Sequence, residues 1–189
     1  EQVLPSLGEA GVELAVLADL IPEHHVRGRD QGRTARVKGD DRMVEVLRRA
    51  VRDRERPLRE RLEVGFGLTI LRLPAAESER IVREARRRFR THNAGRRFVE
   101  RAVFEALAAS SRLDPDPEEV RAQLRHETVV REALDWMWPV LTPSQLLHDL
   151  FGSRALLRSA GRGRFTDDEA DALVRRRSES ADEVVWTND

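Results

Sequence analysis

Thirty-three of the 34 basic side chains are arginines, and eight of them crowd together as Arg83, Arg86, Arg87, Arg88, Arg90, Arg96, Arg97 and Arg101. A guanidinium is a planar fork of donors that matches the paired oxygens of carboxylates and phosphates. Such a run can grip an acidic protein surface or a phosphate backbone. The same spacing also describes a solvated helix face, because Phe89 and Phe98, the aromatics within it, fall on apolar stripes. The candidate contacts to a partner protein or nucleic acid are Arg83, Arg86, Arg87, Arg90, Arg96 and Arg97.

Other reactive side chains do not assemble into a recognisable catalytic pattern. The only lysine, Lys38, stands in Val37-Lys38-Gly39-Asp40 with no preceding glycine loop and no following Ser or Thr, so it is not a phosphate-loop lysine. His24 and His25 are adjacent, whereas two helical ligands of one metal need a spacing of four; His92, His126 and His148 are isolated in sequence. Ser/His/Asp sets have no G-x-S-x-G elbow to anchor them. The acidic clusters Asp114/Asp116/Glu118/Glu119 and Asp167/Asp168/Glu169/Asp171 sit where helices are predicted to start, and negative charge there is favoured by the helix dipole without catalysis. Trp136 and Trp138 are two apart and cannot share a helix face, so one of them is expected at a margin of the core. No catalytic, cofactor-binding or metal residue is assigned.

The elements that must position these groups are mostly helices. Met43, Leu47, Ala50 and Val51 recur at helical spacing, predicting a helix from about Asp41 to Glu55 that stops before Pro57. Leu62 to Val64 and Leu68 to Leu73 flank Gly65-Phe66-Gly67 and predict a hairpin. Pro74 opens a helix with Ile81, Val82, Ala85 and Phe89 on one face. After a break at His92-Asn93-Ala94-Gly95, Phe98/Val99, Ala102/Val103 and Ala106/Leu107 carry the next. Asp116-Pro117-Glu118-Glu119, Thr142-Pro143 and Thr166-Asp167-Asp168-Glu169 read as helix starts. An apolar face runs from Val120 to Met137, and another through Leu146, Leu147, Leu150 and Phe151. Pro22 to Gly39 reads as a loop and the start of Val12 to Leu20 as a short strand.

A chain of 189 residues fits one domain, or one domain with an appended element. It has no apolar run of the ~20 residues needed to span a bilayer, and no cysteine for a disulfide, so a soluble protein of the cytoplasm is expected. Net charge is zero, but Arg27 to Arg61 holds 13 bases and 7 acids (+6), Glu77 to Arg101 holds 9 and 4 (+5), and Phe165 to Asp189 holds 3 and 8 (−5). Charge is therefore segregated along the chain, which limits steering of the whole molecule toward a polyanion while leaving local basic surfaces.

The chain starts without Met and enters an apolar stretch at once, as an excised piece of a larger protein does. Gln2-Val3-Leu4-Pro5-Ser6-Leu7-Gly8-Glu9, Val12 to Leu20, Ala35-Arg36-Val37-Lys38-Gly39, Asp41-Arg42-Met43 and Trp138-Pro139-Val140-Leu141-Thr142-Pro143 follow one another in an order that resembles the HelD family. These are superfamily 1 helicase-like ATPases, related to the UvrD/Rep helicases and acting as RNA polymerase recycling factors. The resemblance implies a mainly α fold: a multi-helix insertion (residues 23–189) with a small β-hairpin, beside a remnant of the RecA-like 1A subdomain (residues 1–22). It implies that the nucleotide-binding motifs, with ATP and Mg, belong to the parent protein outside this segment. It further implies that the insertion, monomeric by itself, enters the primary channel of RNA polymerase, holds the clamp open and helps release nucleic acid. The alternative is a DNA-binding accessory domain of a UvrD/Rep-type helicase.

Overall fold

The structure is a computed structural model that describes residues 26–175 and 185–187. The expected strand near Val12 lies outside them, as do His24 and His25. The described residues form a mainly helical fold with one small antiparallel hairpin. In chain order they are β1 (Val26–Arg29), α1 (Gly32–Lys38), α2 (Arg42–Arg52), β2 (Leu62–Phe66), β3 (Thr69–Leu73), α3 (Ala75–Arg88), α4 (His92–Ala109), α5 (Pro117–Leu124), α6 (Thr128–Met137), α7 (Pro143–Phe151), α8 (Arg154–Gly161), α9 (Asp167–Leu173) and β4 (Val185–Thr187). Among them no helix is long and apolar enough to cross a membrane.

The core is divided into two clusters, and their order in the chain is nested. One is built from the hairpin and α3 to α6, with Leu71, Leu73, Val99, Leu107 and Met137 fully buried. The other joins α1 and α2 to α7, α8 and α9 through Val46, Leu150, Leu157 and Ala160. The chain thus leaves the second cluster after α2, builds the whole first cluster, and returns to the second at α7. The outgoing and returning passes are bonded to each other: the Arg56 N–H donates to the Met137 carbonyl at 2.9 Å, and Arg54 Nη2 pairs with Asp149 Oδ2 at 3.1 Å. Outside both clusters, β1 pairs in parallel with β4, so the two ends of the described chain meet.

Local chemistry explains most element boundaries. Asp116, Thr142 and Thr166 each accept a hydrogen bond from a backbone N–H of the first helical turn, and Thr166 with Glu169 forms a reciprocal capping box. In the hairpin, Leu62↔Leu73 and Val64↔Leu71 face the core while Glu63↔Arg72 and Gly65↔Ile70 face out. Its turn is the two residues Gly67-Leu68, with Gly67 at φ 55°, the backbone region that glycine enters without steric cost.

Four expectations need correction. Residues 26–39 are not a loop: β1 finds its partner at the far end of the chain, and α1 fits between Gly32 and Gly39. Lys38 and Arg175 both pair with the buried Asp30, which ties α1 and the segment after α9 to the end of β1. The segment His92-Asn93-Ala94-Gly95 is not a break but the first turn of α4, the actual break being Phe89 to Thr91. The apolar run from Val120 to Met137 is split by Arg125 to Glu127 into α5 and α6, leaving Val129 exposed. Finally, α2 ends at Arg52, three residues before the expected stop at Glu55, because Glu55 turns inward as a buried acid.

Candidate functional site

The arginine run lies around the corner where α3 hands over to α4. α3 buries Ser78, Ile81, Val82 and Ala85 and ends as Phe89 leaves helical geometry, its ring 5.6 Å from that of Phe98. The first turn of α4 is then fixed against the returning segment 138–141. Asn93 donates from Nδ2 to the Leu141 carbonyl (2.8 Å) and accepts the Leu141 N–H on Oδ1 (3.1 Å). The Trp138 ring stacks on His92 at 5.0 Å and donates its Nε1–H to the His92 carbonyl at 2.7 Å. Gly95 faces that indole so closely that a Cβ would lie 2.7 Å from Trp138 Cζ2.

This corner divides the six candidate arginines into two kinds. Arg96 is structural: Nη1 donates to the carbonyls of Leu134 (2.7 Å) and Trp138, and Nη2 pairs with Asp135 at 2.8 Å, leaving its side chain 17% exposed. Arg86 reaches back to the outgoing pass, pairing with Glu55 Oε2 at 2.9 Å and donating to the carbonyls of Arg52 and Glu55. Arg83 is exposed and lies 3.3 Å from Glu79 one turn earlier, a pairing of small energetic weight. Arg87, Arg90 and Arg97 are exposed and have no acid, carbonyl or ring partner among the described residues. They are the next-to-last residue of α3, the middle of the connection and the second turn of α4, the last being about 8 Å along the helix from its start. Arg88 and Arg101 stand nearby, their guanidinium carbons 5.1 and 5.9 Å from the centre of the Phe98 ring.

The other groups able to do chemistry are engaged internally. His92 is 7% exposed; its Nδ1 lies 3.1 Å from Glu55 Oε1 and its Nε2 2.7 Å from the Pro139 carbonyl. Both ring nitrogens are therefore committed, and a nucleophile partner for a His–Glu pair has no vacant nitrogen to use. Arg42 joins α2 to α9 by bonding Asp40 (2.9 Å), Glu169 (2.9 Å) and the Arg164 carbonyl (2.7 Å). Its bond to Asp40 and then that to Glu169 hold the guanidinium above its ordinary value, while bonds from Arg42 and then Thr166 hold the Glu169 carboxyl below the usual carboxylate range. Burial pulls the Arg56 guanidinium down, and it lies against the Trp136 ring at 3.9 Å with Arg59 at 4.6 Å. A cleft of about 350 Å³ between α8 and the start of α9 is crossed by an Arg158–Asp167 pair at 3.6 Å. Among the described residues, no three His, Asp or Glu side chains form a metal-binding group.

No protein-family model matches the chain, and no curated protein matches it. The sequence shows the arginine-rich region but does not separate Arg86 and Arg96 from Arg87, Arg90 and Arg97, since the partners of the first two are 31 to 42 residues away. His92 looks isolated in sequence for the same reason. Of Trp136 and Trp138, Trp138 is buried and Trp136 lies at the margin, its indole N–H donating to the Pro57 carbonyl at 3.0 Å.

Proposed function

We propose that this chain is a non-catalytic binding arm that docks on a protein partner, and that it serves a HelD-like superfamily 1 ATPase whose partner is RNA polymerase. The observation that carries the binding role is the α3–α4 corner, where Arg87, Arg90 and Arg97 stay exposed and uncommitted while Arg86, Arg96 and His92 are fixed in the structure. Holding three like charges at one corner offers the fold no evident gain, but it suits an acidic surface that arrives from outside. The order of segments from Gln2 to Pro143 supports the family assignment. In that setting, ATP and Mg belong to the parent's motor.

The parallel β1–β4 pair supports an arm attached to a larger α/β body. Parallel strands are stable in sheets covered on both faces, and a lone two-stranded sheet is marginal. The nested order of the two clusters extends the same pattern: the hairpin and α3 to α6 are carried out and back by two hydrogen-bonded passes.

Equilibrium titration of the labelled chain with core RNA polymerase and, separately, with duplex DNA tests this against a nucleic-acid role. A protein-binding arm is expected to bind polymerase more tightly than DNA at every salt concentration. DNA binding that is tighter, and that falls with log salt at about 0.9 per phosphate contacted, would instead favour the helicase accessory domain.

A further inference from the structure

The β2–β3 hairpin carries apolar side chains that its own fold does not use. Leu68, the second residue of the turn, is fully exposed at 110% of its reference area, and Ile70 on the outward face is 48% exposed. A turn that begins with glycine at positive φ sets no requirement for leucine at its second position, where small polar residues serve as well. The end of α4 is bonded to this hairpin away from its tip, Ser110 Oγ accepting the Arg72 N–H at 2.8 Å. The hairpin starts directly after the outgoing pass, at Leu62. Five residues of strand carry the tip roughly 17 Å from that point.

We propose that the hairpin tip, centred on Leu68 and Ile70, is an apolar anchor that inserts into an uncharged socket on the protein partner of this arm. The inference rests on the protein-binding role proposed above and names a second contact, separate from the arginine corner. Charge selects the occupant. Val64 to Leu71 contains no charged residue, and the charges that flank it stay at the base of the hairpin, where Glu63 is shared by Arg61 and Arg72, each at 3.0 Å. A nucleic acid or an anionic membrane surface needs uncompensated basic groups at the contact, which the tip does not offer. An apolar protein socket needs only that the tip be uncharged and desolvated.

The test compares binding of the wild-type chain, L68S, I70T and the triple variant R87A/R90A/R97A to core RNA polymerase. Each tip substitution is expected to weaken binding roughly tenfold, the scale of one buried aliphatic side chain, with thermal stability unchanged because the side chains lie outside the core. The tip loss should persist at high salt, whereas the loss in the arginine variant should shrink as screening removes the wild-type advantage. Wild-type affinity in both tip variants, with the arginine effect intact, overturns the anchor and leaves the binding arm standing. Absence of polymerase binding by the wild-type chain overturns both. Flotation of the chain with phosphatidylserine vesicles that L68S abolishes, or a dimer in light scattering that L68S dissolves, also overturns the anchor by giving the tip another occupant.

Discussion

Gly95→Ala sets helix propensity against packing, and the structure decides between them. Propensity alone favours the substitution by roughly 0.5–1 kcal/mol, because alanine restricts the unfolded chain and suits a helix interior. At Gly95, however, the added Cβ would lie 2.7 Å from Trp138 Cζ2, 3.1 Å from Cε2 and 3.3 Å from Nε1, inside the 3.4 Å at which ordinary contact begins. The indole cannot move away cheaply. It is 1% exposed, stacked on His92 and held by its bond to the His92 carbonyl. Overpacking of this kind costs about 1–3 kcal/mol, and losing the indole hydrogen bond adds about 0.5–1.5 kcal/mol. The net expectation is a loss of about 2 kcal/mol, which lowers the thermal midpoint of a chain this size by roughly 4–8 °C. Circular dichroism at 222 nm during heating measures it. Gly65→Ala is the control, since an added Cβ there meets nothing within 4 Å. A midpoint for G95A equal to or above the wild type would refute the reasoning, because propensity would then have prevailed and the Trp138 contact would not be tight.

Further outcomes follow from the same interactions. Arg96→Ala leaves the Leu134 and Trp138 carbonyls without their donor, and a loss of about 2–3 kcal/mol is expected in urea denaturation, against less than about 0.5 kcal/mol for Arg97→Ala. Equal effects of the two would contradict the division of the arginines into structural and free. The carboxyls of Asp40, Glu77, Glu169 and Asp171 are held below their ordinary values by hydrogen bonds from Arg42, Arg80, Arg42 and Arg154. Lowered folded values mean that the unfolded chain takes up protons first on acidification. The stability they contribute is therefore present above the ordinary carboxylate range and lost as pH falls through the folded values, starting near pH 5. The urea midpoint should fall on acidification, less so in E169Q; a midpoint that rises in acid would contradict this sign.

Local signals were legible in the sequence and distant ones were not. The caps at Asp116, Thr142 and Thr166 involve side chains two or three residues from the N–H they bind, so residue type and spacing suffice to find them. The hairpin was legible because alternation and a glycine turn are local as well. The first turn of α4 has the sequence of a break, because Asn and Gly ordinarily interrupt helices. Here Asn93 bonds Leu141 and Gly95 makes room for Trp138, both features of a segment more than 40 residues away. β1 was hidden because its partner strand is at the opposite end of the chain. The arginine run was visible as charge, but its sorting depended on Glu55 and on the carbonyls at the end of α6, which periodicity does not connect to it. The exposed tip had a sequence trace, an uncharged stretch from Val64 to Leu71, but alternation alone does not show that Leu68 and Ile70 stay outside the core.

The central claim is that the α3–α4 corner docks this arm on its protein partner. The most direct measurement is the dissociation constant for core RNA polymerase at low salt, taken for the wild-type chain and for R87A/R90A/R97A. Saturable wild-type binding is expected, weakened about tenfold or more by the triple substitution with no change in thermal midpoint. No binding by the wild-type chain, or equal binding by the two proteins, would contradict it.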